Sequence, residues 1–272
     1  MRYVVWFCFW LADTQGCSVH RWLCVRAGIL HRDLSPNNIM YRIVEEENAA
    51  GVVEKKVYGV LADFDLSSLT KDMKDDYTKT SQQRTGTPPF MAHELLDGVE
   101  GLHLYRHDLE SLFYVMLILA THYEIQPRTE KEEGGLCMRK GLKELPYEMW
   151  FGEPTYNALA NHKHTFFSKL QDLDLSPAFE DFHDWLWDFR MSFRHGLRAK
   201  EIHKDSIAFL RRQRGASEQG ATSEFDYETL GGHVGYSAFT DPVRRLKGGL
   251  EGLIIRYDPS LSTPTAQVDS GR

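Results

Sequence analysis

The sequence contains few of the features that would indicate a disulfide framework or a structural zinc site. Of its 272 residues only four are cysteines, Cys8, Cys17, Cys24 and Cys137, and no two of them form a CxxC pair. This spacing argues against a regular disulfide or zinc framework and favours a reduced protein. We therefore expect an intracellular protein, located in the cytoplasm.

Long apolar runs are also missing. No run reaches the roughly 18 residues that a membrane span requires, so no membrane association is expected. One apolar stretch, Tyr3–Ala12, follows the single basic residue Arg2. Three interpretations of this stretch stay open: an apolar element packed on the domain, the core of a signal peptide, or residues that are not native to the fold.

The sequence also has no excess of positive charge. The net charge is −7 and the pI is near 5.9, which argues against a nucleic-acid partner because phosphate binding needs a basic face. The sequence has no Walker loop, no GxSxG elbow and no internal repeat. With 42% apolar residues, a packed core is expected, in one large domain or two small ones.

Hydrophobic periodicity predicts a mixed, mainly helical fold. A short helix ends at Gly28, a strand begins at Ile39, and residues 52–66 alternate as one or two strands of a hairpin. Residues 67–87 are polar and predict a long exposed loop, whereas residues 211–224 look disordered. Two apolar helices are expected further along, one buried nearly all round and one amphipathic. Their core positions are Leu109, Leu112, Phe113, Met116, Leu117 and Ala120 in the first, and Phe179, Phe182, Leu186, Phe189 and Phe193 in the second.

The polar run HRDLSPNNIM, His31 to Met40, contains an acid and an amide close together. Asp33 and Asn38 lie five residues apart in a loop closed by Pro36, so both side chains can face one small volume. Taken alone, this loop is equally typical of a capped helix-stop turn. A second acid, Asp63, lies at the end of an apolar strand. Carboxylate and amide oxygens suit a hard cation such as Mg²⁺ bound to nucleotide phosphates.

Four sequence motifs occur in the order found in the C-terminal lobe of protein kinases, which they resemble. They are HRDLSPNN, ADFDLS, GTPPFMAHE and RHDLESLFYV. Their residues are most similar to those of the fungal-type protein kinase family. The resemblance covers about residues 17–210. It implies an α+β, protein-kinase-like fold: a mainly α-helical C-lobe with a small β-hairpin at the catalytic cleft. Residues 1–16 would then be an atypical N-terminal segment, and residues 211–272 a flexible C-terminal tail.

The resemblance also implies ATP and Mg²⁺ as cofactors and a protein substrate with a Ser or Thr hydroxyl. Asp33 would accept the hydroxyl proton, and Asn38 and Asp63 would hold Mg²⁺ against the ATP phosphates. Arg32 would pair with a phosphorylated residue of the activation segment. The sequence gives no basis for choosing among four candidate phosphosites, Thr78, Thr80, Ser81 and Thr85.

Other residues are assigned supporting roles by the same resemblance. Thr87 would brace Asp33, and Asp108 would accept hydrogen bonds from the catalytic-loop backbone. His31 and Phe64 would pack within the internal spine of the lobe. Phe90 would line the peptide-docking loop.

Glu94 would form an ion pair with an arginine of the lobe, for which Arg194 and Arg198 are the candidates. The pair HE at His93 lacks the second histidine of a zinc helix, so a surface or core role is expected. The run His162–His164 is expected on a solvated helix face.

Several departures from the kinase pattern predict weak activity. Ser35 stands where Ser/Thr kinases usually carry a lysine that contacts the γ-phosphate, and Asp65 stands where glycine is normal. His93 replaces the proline of the APE triplet, a departure that is expected to be harmless. Only 30 residues precede His31, and there is no GxGxxG loop and no VAIK-like strand. The chain is therefore expected to be a catalytic-domain fragment with little or no activity alone.

Two other functions stay open. A non-catalytic pseudokinase would use the helical lobe to bind partners. A small-molecule kinase of the aminoglycoside or choline type shares an Asp-to-Asn loop, but it would not need the GTPPFMAHE segment. The oligomeric state is not indicated by the sequence.

Overall fold

The computed structural model describes residues 16–47, 51, 53–70, 86–98, 103–126, 135–139, 145–152, 155–214 and 225–244. The stretch Tyr3–Ala12 and the four candidate phosphosites, Thr78, Thr80, Ser81 and Thr85, lie outside these residues. Among the described helices, none is both long and apolar enough to cross a lipid bilayer.

A short helix leads into the polar run that contains Asp33. Helix α1 is Gly16–Trp22, and it continues as a π-helical segment, Leu23–Ala27. Gly28 ends it with a left-handed φ of 66°, a conformation that glycine adopts without steric cost. The predicted helix and its stop at Gly28 are thus confirmed.

The described part of the chain contains three two-stranded antiparallel sheets. Strand β1 pairs with β4, β2 pairs with β3, and β5 pairs with β6. The β2–β3 register runs from Ile39 opposite Leu61 to Glu47 opposite Val53, which confirms the predicted hairpin. The strands are β1 Ile29–Leu30, β2 Ile39–Glu47, β3 Val53–Leu61, β4 Ser68–Leu69, β5 Tyr123–Gln126 and β6 Gly135–Met138.

Helices form most of the remaining structure. The central helix α3 is buried on every side from Arg106 to His122, as its apolar circumference predicts. The helices after α1 are α2 His93–Asp97, α3 Tyr105–His122, α4 Met149–Gly152, α5 Tyr156–Ser168, α6 His183–Arg214 and α7 Tyr236–Arg244, and two 3₁₀ helices span Pro88–Phe90 and Pro177–Phe182. The fold is therefore mixed and mainly helical, with a small hairpin.

The C-terminal part of the chain differs from the prediction. Phe179 and Phe182 lie in a 3₁₀ helix rather than in α6, since Pro177 begins a tight turn whose i, i+3 spacing resembles a helical one. Helix α6 runs past residue 210 to Arg214. Three residues of the expected flexible tail, Leu230, Val234 and Phe239, belong to the buried core. The packed unit thus extends beyond residue 210, because these apolar side chains cover the inner face of α6.

The run His162–His164 also differs from the prediction of a solvated helix face. His164 is exposed, but the side chain of Lys163 is fully buried in α5. Its ammonium group contacts the segment before α2, which lies far away in sequence and could not be foreseen from the local pattern.

Candidate active site

The polar run after β1 forms a loop whose apolar side chains are buried in the core. Leu30 and Leu34 are buried, as is Ile39 at the start of β2. Between them, Arg32 has a left-handed φ of 71°, a conformation that is uncommon for residues other than glycine. This short loop, fixed by its buried side chains, carries Asp33 and Asn38.

The Asp33 carboxylate is fixed by three hydrogen bonds. Asn38 Nδ2 donates to Oδ2 at 3.0 Å, and Thr87 donates to Oδ1 from its backbone N at 2.8 Å and from Oγ1 at 2.9 Å. Asn38 Nδ2 also donates to the Asp33 carbonyl at 2.9 Å. A carboxylate has about four acceptor positions, so Asp33 keeps capacity to accept a substrate proton.

Asp63 is placed next to this loop by the end of the hairpin. Ala62 donates its backbone N–H to the Asn38 carbonyl at 2.8 Å, and its carbonyl lies 3.0 Å from His31 Nε2. Asp63 follows directly, with an exposed side chain and a left-handed φ of 60°. Its Oδ1 accepts a long hydrogen bond, 3.4 Å, from the backbone N of Asp65.

Asn38 and Asp63 are chemically suited to hold a cation. The Asn38 amide nitrogen makes the hydrogen bonds to Asp33, which leaves its amide oxygen available as a ligand. The Asp63 carboxylate is exposed, and Asp63 directly follows Ala62, whose backbone N–H donates to the Asn38 carbonyl. Mg²⁺ usually binds one or two protein oxygens and completes its shell with phosphate oxygens and water, so this pair fits the ion. Within the described ranges no cluster of three His, Cys, Asp or Glu residues forms a separate metal site.

His31 and Phe64 are in contact, with ring centroids 4.8 Å apart. His31 is buried, whereas Phe64 is 37% exposed. Burial lowers the pKa of His31, so this ring is neutral at physiological pH and can act as a packing group. The roles of both residues in an internal spine stay predictions.

Arg32 lies with its guanidinium partly buried, and burial lowers its pKa. One terminal nitrogen, Nη1, donates to Ser68 Oγ at 2.5 Å. Its Nε is buried and has no hydrogen-bond partner among the described residues. An arginine with spare donors is what phosphate recognition requires, so the predicted pairing with a phosphorylated residue keeps a suitable donor.

Asp108, at the start of α3, holds the backbone of the loop. Its Oδ2 accepts from the His31 N–H at 3.0 Å, and its Oδ1 accepts from the Arg32 N–H at 3.2 Å. Two buried histidines that the sequence did not single out complete the arrangement. His20 Nε2 lies 2.9 Å from Oδ2, and His103 Nε2 lies 2.8 Å from Oδ1.

Asp108 and the histidines beside it stabilise each other's charged forms. Burial alone would raise the pKa of Asp108, but His103 and His20 outweigh it and hold that pKa well below its usual range. Burial would likewise lower the pKa of His20, yet its contacts with Asp108 and Cys24 raise it to about 10. His20 and Asp108 therefore form a buried ion pair beneath the loop.

Glu94 forms its ion pair with residues other than those predicted. Arg106 Nη2 lies 2.5 Å from Oε2, and Lys200 Nζ contacts Oε1. Arg194 instead donates to the carbonyls of Phe167 and Ser168, so neither it nor the exposed Arg198 is the partner. The prediction of Arg194 or Arg198 was wrong because the cations that reach Glu94 are Arg106 of α3 and Lys200 of α6.

A second buried set holds the segment that contains Phe90. Glu110 Oε1 accepts from the backbone N of His93 at 2.8 Å and from the hydroxyl of Tyr114 at 2.6 Å. Lys163 Nζ donates to the carbonyls of Pro88 at 3.3 Å and Met91 at 2.5 Å. His93 also contacts Glu110 through its ring, so it is a core residue rather than a zinc ligand.

Two curated proteins are similar to parts of the chain. Over 122 residues it is 34% identical to Serine/threonine-protein kinase CHK1 of Saccharomyces cerevisiae, a match that covers 44% of this chain and 20% of that protein. Over 159 residues it is 26% identical to Receptor-interacting serine/threonine-protein kinase 3 of Rattus norvegicus, covering 51% of this chain and 30% of that protein. The chain thus spans less than a third of the length of these relatives.

No solved structure matches the chain significantly. The scan of family models, by contrast, matches the part of the chain that carries the polar loop, Asp63, Thr87 and Asp108. Residues 14–120 match the model described as fungal protein kinase, which confirms the resemblance for this part of the chain.

Proposed function

We propose that this chain carries the proton-accepting and metal-binding half of a protein-kinase active site, within a kinase-like C-lobe. It would transfer the γ-phosphoryl group of ATP to a Ser or Thr hydroxyl of a protein. The observation that supports this most is the joint fixation of Asp33 by Asn38 and Thr87. The names of the two similar proteins point to the same acceptor class.

The contacts support the roles that the kinase resemblance implies for these residues. Asp33 accepts the proton of the attacking hydroxyl, since its carboxylate is held in place and keeps free acceptor positions. Asn38 and Asp63 would bind Mg²⁺, which neutralises negative charge on the ATP phosphates when bound. Asp108 positions the loop through the His31 and Arg32 amides without touching substrate.

Slow transfer is part of the proposal. Ser35 is buried and uncharged, so this position offers the γ-phosphate no cation. Asp65 stands where glycine is usual in kinases, but its backbone has no left-handed φ, so the aspartate is not strained there. The missing cation at Ser35 favours the second candidate, a pseudokinase that binds partners, over a fast enzyme.

A transfer experiment with radiolabelled ATP and Mg²⁺ separates the candidates. The acceptors are a mixture of Ser/Thr-containing proteins and, separately, small amino alcohols, each with the wild-type chain and Asp33→Asn. We expect slow labelling of protein only, reduced at least about 100-fold in Asp33→Asn. Labelling of an amino alcohol but of no protein would support a small-molecule kinase, and no Asp33-dependent labelling would support the pseudokinase.

A further inference from the structure

A buried amine lies against the segment Thr87–Met91, which precedes α2. Lys163 of α5 is fully buried, and its Nζ donates to the carbonyl of Pro88 at 3.3 Å and to that of Met91 at 2.5 Å. The segment contains a 3₁₀ turn of only three residues, Pro88–Phe90, and two of them are prolines. Because prolines have no N–H group, the carbonyls of so short a turn have few backbone donors within reach. Lys163 supplies donors that the turn lacks.

Aromatic rings and the two hydrogen bonds fix the position of this amine. Nζ of Lys163 lies 4.1 Å from the centre of the Tyr114 ring and 5.3 Å from that of the Trp150 ring. Burial lowers the pKa of Lys163, and the Glu110 carboxylate offsets part of this effect. An ammonium group has three N–H donors and a neutral amine still has two, so either form makes both hydrogen bonds. The contacts with the turn therefore do not depend on the charge.

The C-terminal end of the same segment is held from α3. Glu110 Oε1 accepts a hydrogen bond from the backbone N of His93 at 2.8 Å and one from the Tyr114 hydroxyl at 2.6 Å. Tyr114 therefore contacts Glu110 through its hydroxyl and Lys163 through its ring. Buried side chains of α3 and α5 thus fix the backbone on both sides of Ala92.

The N-terminal end of the segment holds the candidate proton acceptor. Thr87 donates to Asp33 Oδ1 from its backbone N at 2.8 Å and from its Oγ1 at 2.9 Å. The Thr87 carbonyl accepts from the backbone N of Phe90 at 2.9 Å and from that of Met91 at 3.1 Å. Thr87 is thus bonded to Asp33 on one side and to the turn on the other. A displacement of the turn would also displace the donors that fix the Asp33 carboxylate.

We propose that Lys163 is a positioning residue for phosphoryl transfer: it fixes the turn so that Thr87 holds the Asp33 carboxylate toward the acceptor hydroxyl. This role in transfer rests on the proposed function, whereas the effect of Lys163 on Thr87 is measurable without it. The hydrogen bonds of Lys163 go to the turn and not to Asn38 or Asp63. Loss of Lys163 therefore impairs transfer to the acceptor, which needs exact geometry, more than it impairs nucleotide binding.

A comparison of transfer with nucleotide binding in Lys163→Met tests this role, with Lys169→Met as the control. Lys169 lies at the end of the same helix and has an exposed side chain. We expect Lys163→Met to label the protein mixture from radiolabelled ATP at least about tenfold more slowly than the wild-type chain, while its Mn²⁺–ATP binding changes less than about threefold. A folding defect would reduce both by the same factor. Equal loss of both, or labelling as fast as in Lys169→Met, would overturn the proposal.

The backbone amide signal of Thr87 in a nuclear magnetic resonance spectrum tests the positioning without turnover. Asp33→Asn gives the position of this signal when the carboxylate is absent. We expect the signal in Lys163→Met to move from its wild-type position toward that of Asp33→Asn. The amide signals of His31 and Arg32, which are held from α3, should stay in place. An unmoved Thr87 signal, or equal movement of all three signals, would overturn the proposal.

The two measurements separate a failure of the proposed function from a failure of the positioning role. If the wild-type chain transfers no phosphate, the proposed function is wrong, and the Thr87 signal alone decides whether Lys163 fixes the donors of Asp33. If Lys163→Met does not fold, Lys163→Gln takes its place, because the glutamine amide keeps an NH₂ donor on a shorter side chain. We then expect the Thr87 signal to move in the same direction, and an unmoved signal would again overturn the proposal.

Discussion

At the scale of single residues, the buried pair His20–Asp108 supports the polar loop and makes its stability depend on pH. His20 has a pKa of about 10 in the folded chain, against 6.5 for an ordinary histidine. A group whose pKa is higher in the folded state binds its proton more tightly there, which stabilises the fold. That stabilisation is complete below pH 6.5 and is lost as the pH rises toward 10.

We therefore expect the free energy of unfolding of the wild-type chain to exceed that of His20→Asn by the largest amount below pH 6.5, with the difference shrinking steadily up to pH 10. Urea denaturation of both proteins at several pH values measures it. Burial lowers the pKa of Lys163, so the titration of Lys163 makes stability rise with pH, opposite to the effect of His20. Both proteins contain Lys163, so subtracting their free energies of unfolding removes this contribution. A difference that is constant over this range would contradict the assigned charge of His20.

The contact partners of single residues were the hardest features to predict. Asp33, Asn38, Thr87 and Asp108 could be named because a resemblance to known motifs places them. Lys200 could not, since it lies 106 positions from Glu94 in sequence and no local pattern connects the two. His20 was missed for the same reason, being 88 positions from Asp108.

At the scale of elements, Lys163 of α5 holds the segment that precedes α2. Its side chain is fully buried, with Nζ donating to the carbonyls of Pro88 and Met91 and lying 4.1 Å from the centre of the Tyr114 ring. Burial lowers the pKa of Lys163 and the Glu110 carboxylate offsets only part of this effect, so the buried ammonium is costly unless its hydrogen bonds are made. Here two backbone carbonyls and an aromatic face supply those contacts.

Lys163→Met keeps the approximate size and the apolar part of the side chain but removes the ammonium group. The carbonyls of Pro88 and Met91 then lose their hydrogen bonds from Nζ. We expect the chain to lose about 1–3 kcal/mol of stability in chemical denaturation. The control is Lys169→Met at the end of the same helix, where the side chain is exposed and a change within about 0.5 kcal/mol is expected. A stability gain in Lys163→Met would show that burial of the amine costs more than its hydrogen bonds contribute.

Elements with a repeating local pattern were predicted well. Alternating apolar and polar residues predict the β2–β3 hairpin, and apolar residues around the whole helix circumference predict the buried helix α3. Both patterns depend only on residues that are near one another in sequence. Phe179 and Phe182 were predicted on the same helix as Phe189, because phenylalanines three residues apart fit a 3₁₀ turn as well as an α-helix.

At the scale of the whole molecule, residues 225–244 pack against α6 and belong to the same core as the candidate active site. Gly196 of α6 marks the contact: a Cβ built there would lie 2.7 Å from Cβ of Leu230 and 3.2 Å from Cβ of His233. Such distances leave no room for a methyl group unless the two segments move apart.

Gly196→Ala should destabilise the chain by about 1–3 kcal/mol through this overlap, although alanine favours a helix by about 1 kcal/mol over glycine. Gly152→Ala is the control, since no atom lies within 4 Å of a Cβ at that helix end. Thermal unfolding of both variants measures the difference. A more stable Gly196→Ala would mean that residues 225–244 do not pack on α6 in solution.

The central claim is that Asn38 and Asp63 form one metal–phosphate site beside Asp33, and binding of Mn²⁺ and ATP tests it without requiring turnover. Titration of the chain with Mn²⁺–ATP, followed by electron paramagnetic resonance of the metal, compares Asp63→Asn with Asp65→Asn. Both residues are exposed and lie two positions apart, so the second variant controls for loss of surface charge.

We predict that Asp63→Asn weakens Mn²⁺–ATP binding at least about tenfold, whereas Asp65→Asn changes it less than about threefold. Equal effects of the two substitutions, or binding that neither of them weakens, would contradict the proposed site.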